Sequence, residues 1–414
     1  MIAHSHSHLS GRFRCQVLDG ATKQVLRDTG WEHNLVTNNG MEFGRGFGVG
    51  INGVSEFTRS CYLGTGTAPN KTSSGATQAT QAGTAITLSG GSFTFTSTAV
   101  DAGRVIKWES GEETMIQTVQ SATAATAYAK YSKSVAAGVF TLFNTNFSAL
   151  QNEVTFASGT VYYTGNSSCG YEFDVTGSVD PYVGELTLRR AWEFPPETTS
   201  RAYGEVSFGS IYNDLHVFSR GVFSPVINVV PGNQVRVFYE FHISFSPIRP
   251  RIVDPASYSL PGVSSMTEHF EFASLNLVDP ITGGTLLLAG KSPICEPGQL
   301  NSTYGFVSDS SIALPEVCYI TSDATPQYGG TNLKISESTL TDLAYVPLSF
   351  EIYRYVSFGP KIANFPIRTI GILVDNISFT TRVAYVLRPN VAFTKTNLER
   401  LNFTFKTTWS RELA

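Results

Sequence analysis

Three histidines near the start of the chain alternate with small residues, in the order His4-Ser5-His6-Ser7-His8. In an extended strand, successive side chains point to opposite faces, so all three imidazoles share one face. Imidazole nitrogens ligate borderline divalent metals, and such a row would hold an ion most readily at a symmetry axis where several chains converge. The plainer reading is a frayed terminus with solvated histidines. The remaining histidines, His33, His216, His242 and His269, stand at no suggestive spacing from a Ser, Cys or Asp.

Other groups capable of chemistry are sparse. Glu109, Glu112 and Glu113 cluster in Lys107-Trp108-Glu109-Ser110-Gly111-Glu112-Glu113. A glycosidase needs two carboxyl groups facing each other across a cleft, whereas sequence neighbours of this kind decorate an exposed hairpin. Gly44-Arg45-Gly46-Phe47-Gly48-Val49-Gly50 lacks the order of a phosphate-binding loop. Gly64-Thr65-Gly66-Thr67-Ala68-Pro69-Asn70-Lys71-Thr72 has Asn70 where that loop requires glycine. Neither the G-x-S-x-G nor the H-E-x-x-H pattern occurs. The sequence therefore predicts no catalytic residues, no cofactor-binding residues, no metal ligand set and no cofactor.

Five cysteines (Cys15, Cys61, Cys169, Cys295, Cys318) are odd in number and scattered, with no Cys-x-x-Cys. That pattern suits thiols kept reduced during cytosolic folding, not a disulfide framework or a zinc ribbon. The first residues have neither a basic nor an apolar leader region, so no secretory signal is expected. Without one, Asn166-Ser167-Ser168 carries no glycosylation meaning.

The elements that would position these groups read as strands. In Gln234–Phe245, Val235, Val237, Tyr239, Phe241, Ile243 and Phe245 fall on one face, with Phe238 the exception on the other. Leu401, Phe403, Phe405 and Trp409 repeat the period-two pattern in 401–409. Further strands are expected at Phe13–Leu18, Ser92–Ser97, Gly103–Trp108, Gly138–Phe143, Thr160–Tyr163, Glu185–Ala191, Gly204–Phe208, Val226–Val230, Phe350–Tyr355 and Thr381–Leu387. Short helices are expected at Ser121–Lys133 and Phe147–Phe156. The small-polar tract Gly75–Thr84 reads as an extended surface loop.

An internal duplication is also expected. Val17–Gly30 parallels Leu277–Gly290, and Cys61–Pro69 parallels Cys318–Pro326. Ser219-Arg220 leading to Pro225–Val229 parallels Thr381-Arg382 leading to Pro389–Phe393. The two period-two strands close the copies in the same order. The predicted fold is mainly β: tandem antiparallel β-sandwich-like domains with few short helices. The first spans 1–250 with an insertion at about 100–191, the second 251–414, and a Pro-rich linker near 247–255 joins them.

Composition narrows the function classes. Of 414 residues, only 15% are charged, 12% are aromatic, and 29 Lys+Arg stand against 33 Asp+Glu for a net charge of −4. No global basic excess exists to wrap nucleic acid. No run of apolar residues is long enough for a spanning helix. Neither coiled-coil nor disordered composition fits.

Several stretches resemble virion structural proteins of tailed bacteriophages. Asn34-Leu35-Val36-Thr37-Asn38-Asn39-Gly40-Met41 is similar to an N-L-[IV]-T-x-x-G-[LM] segment of phage tail, baseplate and fibre-associated proteins. Cys61–Pro69 is similar to the G-T-G-T-x-x-P stretch that follows it. Arg189–Phe194, Tyr203–Gly209, Phe218-Ser219-Arg220 and Pro231–Val237 resemble the same group. The resemblance covers roughly Gly30–Phe245. It implies a non-catalytic tail subunit of a short-tailed phage, assembled in the host cytoplasm and located in the virion tail. The subunit would self-associate as a hexamer or another closed ring around the tail tube, as a non-contractile sheath, or act as a baseplate or fibre adaptor. Its partners would be tube, adaptor and fibre proteins, without direct nucleic-acid readout or membrane insertion.

A low charge fraction agrees with a surface covered by neighbours, because each buried charge carries a desolvation cost. The extended ends, His4–Gly11 and Thr407–Ala414, are expected to reach onto neighbouring copies by strand addition. The competing readings are a glycan-binding fibre component using Tyr162, Tyr163 and Tyr171, a capsid decoration protein, and a depolymerase acting through Glu112 or Glu113.

Overall fold

The computed structural model describes residues 2–47, 60–158, 171–176, 184–210, 215–247, 249–253, 260, 262–274, 276–277, 304–308, 317–318, 327–328, 331–337, 348–360, 365–376, 381–396 and 398–413. These form a mainly β protein. Helix among them is confined to Asn38–Phe47, Thr98–Asp101 and a single 3-10 turn, Ala129–Tyr131.

The period-two segments become the strands Asn233–Ser246 and Leu401–Arg411. Val235, Val237, Tyr239, Phe241, Ile243 and Phe245 are all buried, so the alternation has the physical meaning expected of it. Phe238 lies on the outer face, half-buried under the Arg14 guanidinium, 5.8 Å from the ring centre.

Both strands belong to one sheet, sheet I. Its order is Tyr171–Thr176, Glu185–Glu193, Asn233–Ser246, Ile2–Asp19, Leu401–Arg411, Glu351–Phe358, and Val25–His33 also pairs with Ile2–Asp19. The N-terminal strand is the hinge of this layout. Residues 6–19 run antiparallel to 233–246, while residues 2–9 run parallel to 404–411 along the other edge. The ends expected to reach onto neighbours are therefore paired with each other inside one chain.

Sheet II has the order Glu153–Ser158, Ser60–Gly64, Arg201–Ser210, Leu215–Val229, Leu35–Val36. It packs on sheet I through aromatic contacts. Trp192 lies 5.4 Å from Phe208, Phe208 stacks on Tyr239 at 3.8 Å, and Phe218 meets Phe241 edge-on at 5.1 Å. Such pairs add about 1 kcal/mol each beyond the area they bury. Sheet III contains Met266–Ser274, Thr381–Pro389 and Thr369–Asn376 at its centre. Phe270 and Tyr385 bring it onto sheet I, 4.9 Å from Phe245 and 6.2 Å from Phe405 respectively.

The fourth unit is a closed six-stranded barrel made by Lys133–Phe143, Lys71–Gly83, Ala85–Ser89, Ala124–Ala127, Glu113–Ser121 and Val105–Trp108. It has its own core around Ile86, Ile106, Trp108, Ile116 and Phe140. Several expectations change here. The tract Gly75–Thr84 is not a surface loop: most of it lies in the strand Lys71–Gly83, with Thr77, Ala79 and Gln81 buried inside the barrel. Ser121–Lys133 is not a helix but the end of one barrel strand, a turn, another strand and the 3-10 turn. Ser92–Ser97 is irregular chain, not a strand. Its Phe93 and Phe95 close over the barrel core, with Phe93 edge-on to Phe140 at 5.3 Å. Phe147–Phe156 is not a helix either; it holds turns and the start of Glu153–Ser158. The barrel starts at Lys71, and the insertion boundary expected near Val100 falls within Thr98–Asp101 on the barrel itself.

The segment Asn38–Phe47 is a helix that its three glycines disguise. Thr37 Oγ1 caps it by accepting the Gly40 N–H at 3.1 Å. Gly40 is required by close approach, since a Cβ there would stand 2.1 Å from the Phe218 carbonyl oxygen. Of the segments paired in the expected duplication, 278–290 and 319–326 lie outside the described residues, as does Thr160–Tyr163.

Candidate interaction surface

The chain enters the barrel through residues 65–70 and leaves it through 144–152, and both passages converge on one buried ion pair. Arg220 and Glu205 are each fully buried. Arg220 Nε and Nη2 donate to Glu205 Oε2 at 3.0 and 2.8 Å. The other carboxylate oxygen accepts the backbone N–H of Gly66 at 3.2 Å and of Asn152 at 3.1 Å. Arg220 Nη1 donates to the Ala68 carbonyl at 2.9 Å and to Asn70 Oδ1 at 2.7 Å, and its guanidinium lies 4.1 Å from the Phe147 ring centre. Burial pulls the Arg220 pKa down, opposed by the bonds to Glu205. One side-chain pair thus pins the incoming and outgoing chain to the sandwich. Around it, Asn144 Nδ2 donates to the Pro69 carbonyl, and Asn38 Nδ2 and Thr145 Oγ1 donate to the Gly103 carbonyl.

A second set of contacts ties the barrel and the helix to the second half of the chain. Glu42 accepts the Leu348 N–H at 2.7 Å, and Lys130 Nζ lies 3.4 Å from Glu351. Arg411, buried, donates to the Val36 carbonyl at 2.9 Å and to Asn38 Oδ1 at 2.6 Å. Burial lowers its pKa to about 10. The barrel is therefore fixed to the body at two places.

What the barrel presents is unusual in charge. From Thr72 to Val100 there is no Asp, Glu, Lys, Arg or His, and the same holds from Thr114 to Ala129 and from Ser134 to Asn152. Across neighbouring strands the register sets Thr80 beside Thr87, Thr87 beside Ala124, and Thr126 beside Thr118. Gln78, Ala82, Ala85, Thr87 and Ser89 are exposed on this face. Among the described barrel residues, the charges sit elsewhere, at Asp101, Arg104, Lys107, Glu109, Glu112, Glu113, Lys130 and Lys133 and at Lys71 where the barrel begins.

The outer face of sheet I differs, because its charges are matched within the chain. Glu240 takes both Arg12 and Arg189, and His242 sits between Glu185 at 3.1 Å and Glu240 at 3.7 Å. Glu193 takes Lys23 and Arg236, each at 2.8 Å. Burial raises the Glu193 pKa, but bonds from Lys23, Arg236 and Gln234 outweigh it and hold the group at about 2.

Among the described residues, those with chemical potential lie apart from one another. Glu109, Glu112 and Glu113 stay on the 108–113 hairpin, where Glu112 pairs with Ser110 and Glu113 lies 3.2 Å from Lys107. His33 meets Glu412 at 3.7 Å, and His269 accepts from Arg388. Cys15 and Cys61 are buried free thiols whose pKa values burial drives up, so they are held protonated. Gly64–Thr72 is pinned by the ion pair through Gly66, Ala68 and Asn70. His4, His6 and His8 do share one face, with Ser5, Ser7 and Leu9 turned inward. Burial and the neighbouring His8 lower the His6 pKa. Tyr162, Tyr163, Gly48, Val49, Gly50, Cys169 and Cys295 lie outside the described residues, and the side chains of Tyr171, His216 and Cys318 lie outside them too.

Glu205 and Arg220 were visible in the sequence only as members of two segments, Tyr203–Gly209 and Phe218–Arg220. Both faces of their strands are covered, so no alternation marks them as a pair. These segments, together with Asn34–Met41 and Cys61–Pro69, meet at sheet II around the ion pair. The chain matches no protein-family model, no curated protein and no solved structure.

Proposed function

We propose that this chain is a structural subunit of a phage tail. It closes with copies of itself into a ring or sleeve around the tail tube, with a baseplate or fibre adaptor as the neighbouring role, and it performs no catalysis. The observation that carries the reading is the uncharged outer face of the barrel, held at fixed orientation by the Glu205–Arg220 anchor. Interface cores are depleted in charge, and covering such a face desolvates no ion. The segments that resemble phage tail proteins supply the context, because three of them, Cys61–Pro69, Tyr203–Gly209 and Phe218–Arg220, build the anchor that aims the barrel.

The test is oligomeric state. Native mass spectrometry of the full chain is expected to give a closed oligomer. Thr87→Lys, which plants a charge in the middle of the uncharged face, is expected to shift the population to smaller species while the melting temperature stays the same. A wild-type chain that remains monomeric at high concentration overturns the reading. An oligomer indifferent to Thr87→Lys removes the barrel face from it.

A further inference from the structure

The alternating histidines belong to an ordered strand, not a frayed end. His6 and His8 sit where the N-terminal strand is paired on both sides. Their register partners are Ser246 and Ser244 on one side and Thr408 and Ser410 on the other. Ser5, Ser7 and Leu9 anchor the strand from beneath, and Ser5 Oγ lies 3.0 Å from Thr407 Oγ1. Two residues at i and i+2 of a strand stand about 6.6–6.8 Å apart at Cα. Two imidazoles on such a base can tilt toward a common point, each nitrogen about 2.0–2.1 Å from a zinc-sized ion.

The surroundings favour this. His8 Nδ1 is 2.8 Å from Ser410 Oγ, which orients the ring and leaves Nε2 for an outside ligand. Metal-ligating histidines are commonly held this way through their second nitrogen. The pair is flanked by hydroxyls, and Glu185 stands one strand further on, bonded to Ser244 Oγ at 3.2 Å. His4 is placed differently. Its register partner is Lys406, whose ammonium lies 3.0 Å from Glu351 and opposes a second cation there.

We propose that His6 and His8 form a two-imidazole chelate for a divalent cation of the zinc class, with water completing the coordination shell. Among the described residues no three His, Cys, Asp or Glu side chains already converge on one point, so the chelate is bidentate within a single chain. Bound metal would stabilise the folded state by mass action, at the strand that links the two halves.

Zn2+ is titrated into the full chain by calorimetry, with melting temperature followed in parallel against EDTA. One Zn2+ per chain and a raised melting temperature are expected. His6→Gln or His8→Gln should weaken binding by about tenfold or more and remove the melting shift, and Ser410→Ala should weaken it about tenfold. His33→Gln should leave both readouts unchanged. Absence of heat and of a melting shift in the wild-type chain overturns the proposal without recourse to any variant. So does binding that survives His6→Gln and His8→Gln, and a stoichiometry of one ion per two chains overturns the single-chain chelate.

Discussion

Replacing Arg220 by methionine takes the guanidinium away from a carboxylate that stays buried. Glu205 would keep the Gly66 and Asn152 N–H groups at 3.2 and 3.1 Å but lose the two charge-assisted bonds at 3.0 and 2.8 Å. Removing one member of a buried pair costs about 3–5 kcal/mol. The Ala68 and Asn70 acceptors are only part-buried and regain water, so they add little. Arg220→Met should therefore lower the urea-derived stability by about 3–5 kcal/mol and speed hydrogen exchange in 65–70 and 144–152. The double variant Arg220→Met/Glu205→Leu removes both charges. It should recover most of that loss, because apolar replacement of a whole buried pair is often near neutral. A single-variant cost below about 1 kcal/mol, the range of exposed pairs, would refute the reasoning. Equal costs for the single and double variants would do the same.

Two further perturbations probe other parts of the fold. Gly40→Ala forces a methyl to within 2.1 Å of the Phe218 carbonyl oxygen and should cost about 1–3 kcal/mol, measured by thermal or urea melts; unchanged stability would show that the helix packs differently. Glu193 is held at about 2 against an ordinary 4.5, so its contribution is fully present above pH 4.5 and is lost as pH falls through about 2. The stability gap between the wild-type chain and Glu193→Gln should therefore shrink from pH 7 to pH 2, and a gap independent of pH would contradict the assigned ion pairs.

The strands 233–246 and 401–411 were legible because one face is apolar and the other polar. The barrel was not. A barrel of six strands has a narrow interior, and small residues fill much of it. In Lys71–Gly83 and Ala124–Ala127, Thr77, Ala79, Gln81, Ala125 and Ala127 point inward while similar Thr, Gln and Ala residues point outward, leaving no hydrophobic contrast to read in those two strands. The same alanines imitated a helix over 121–133. At Asn38–Phe47 the error ran the other way: Gly40, Gly44 and Gly46 carry poor helix propensity, yet packing against the Phe218 backbone demands one of them. The shared face of His4, His6 and His8 followed directly from strand geometry. The Glu205–Arg220 anchor did not, because two strands buried on both faces give a charged residue no pattern to break.

The N-terminal strand also imposes a timetable. Residues 2–9 are made about 400 residues before the partner for one of their edges, 404–411. At about 5–20 residues per second, synthesis keeps that edge open for roughly 20–80 s. Sheet I thus closes only once 404–411 has been made, and a nascent chain stalled before residue 401 would carry an unpaired, aggregation-prone flank.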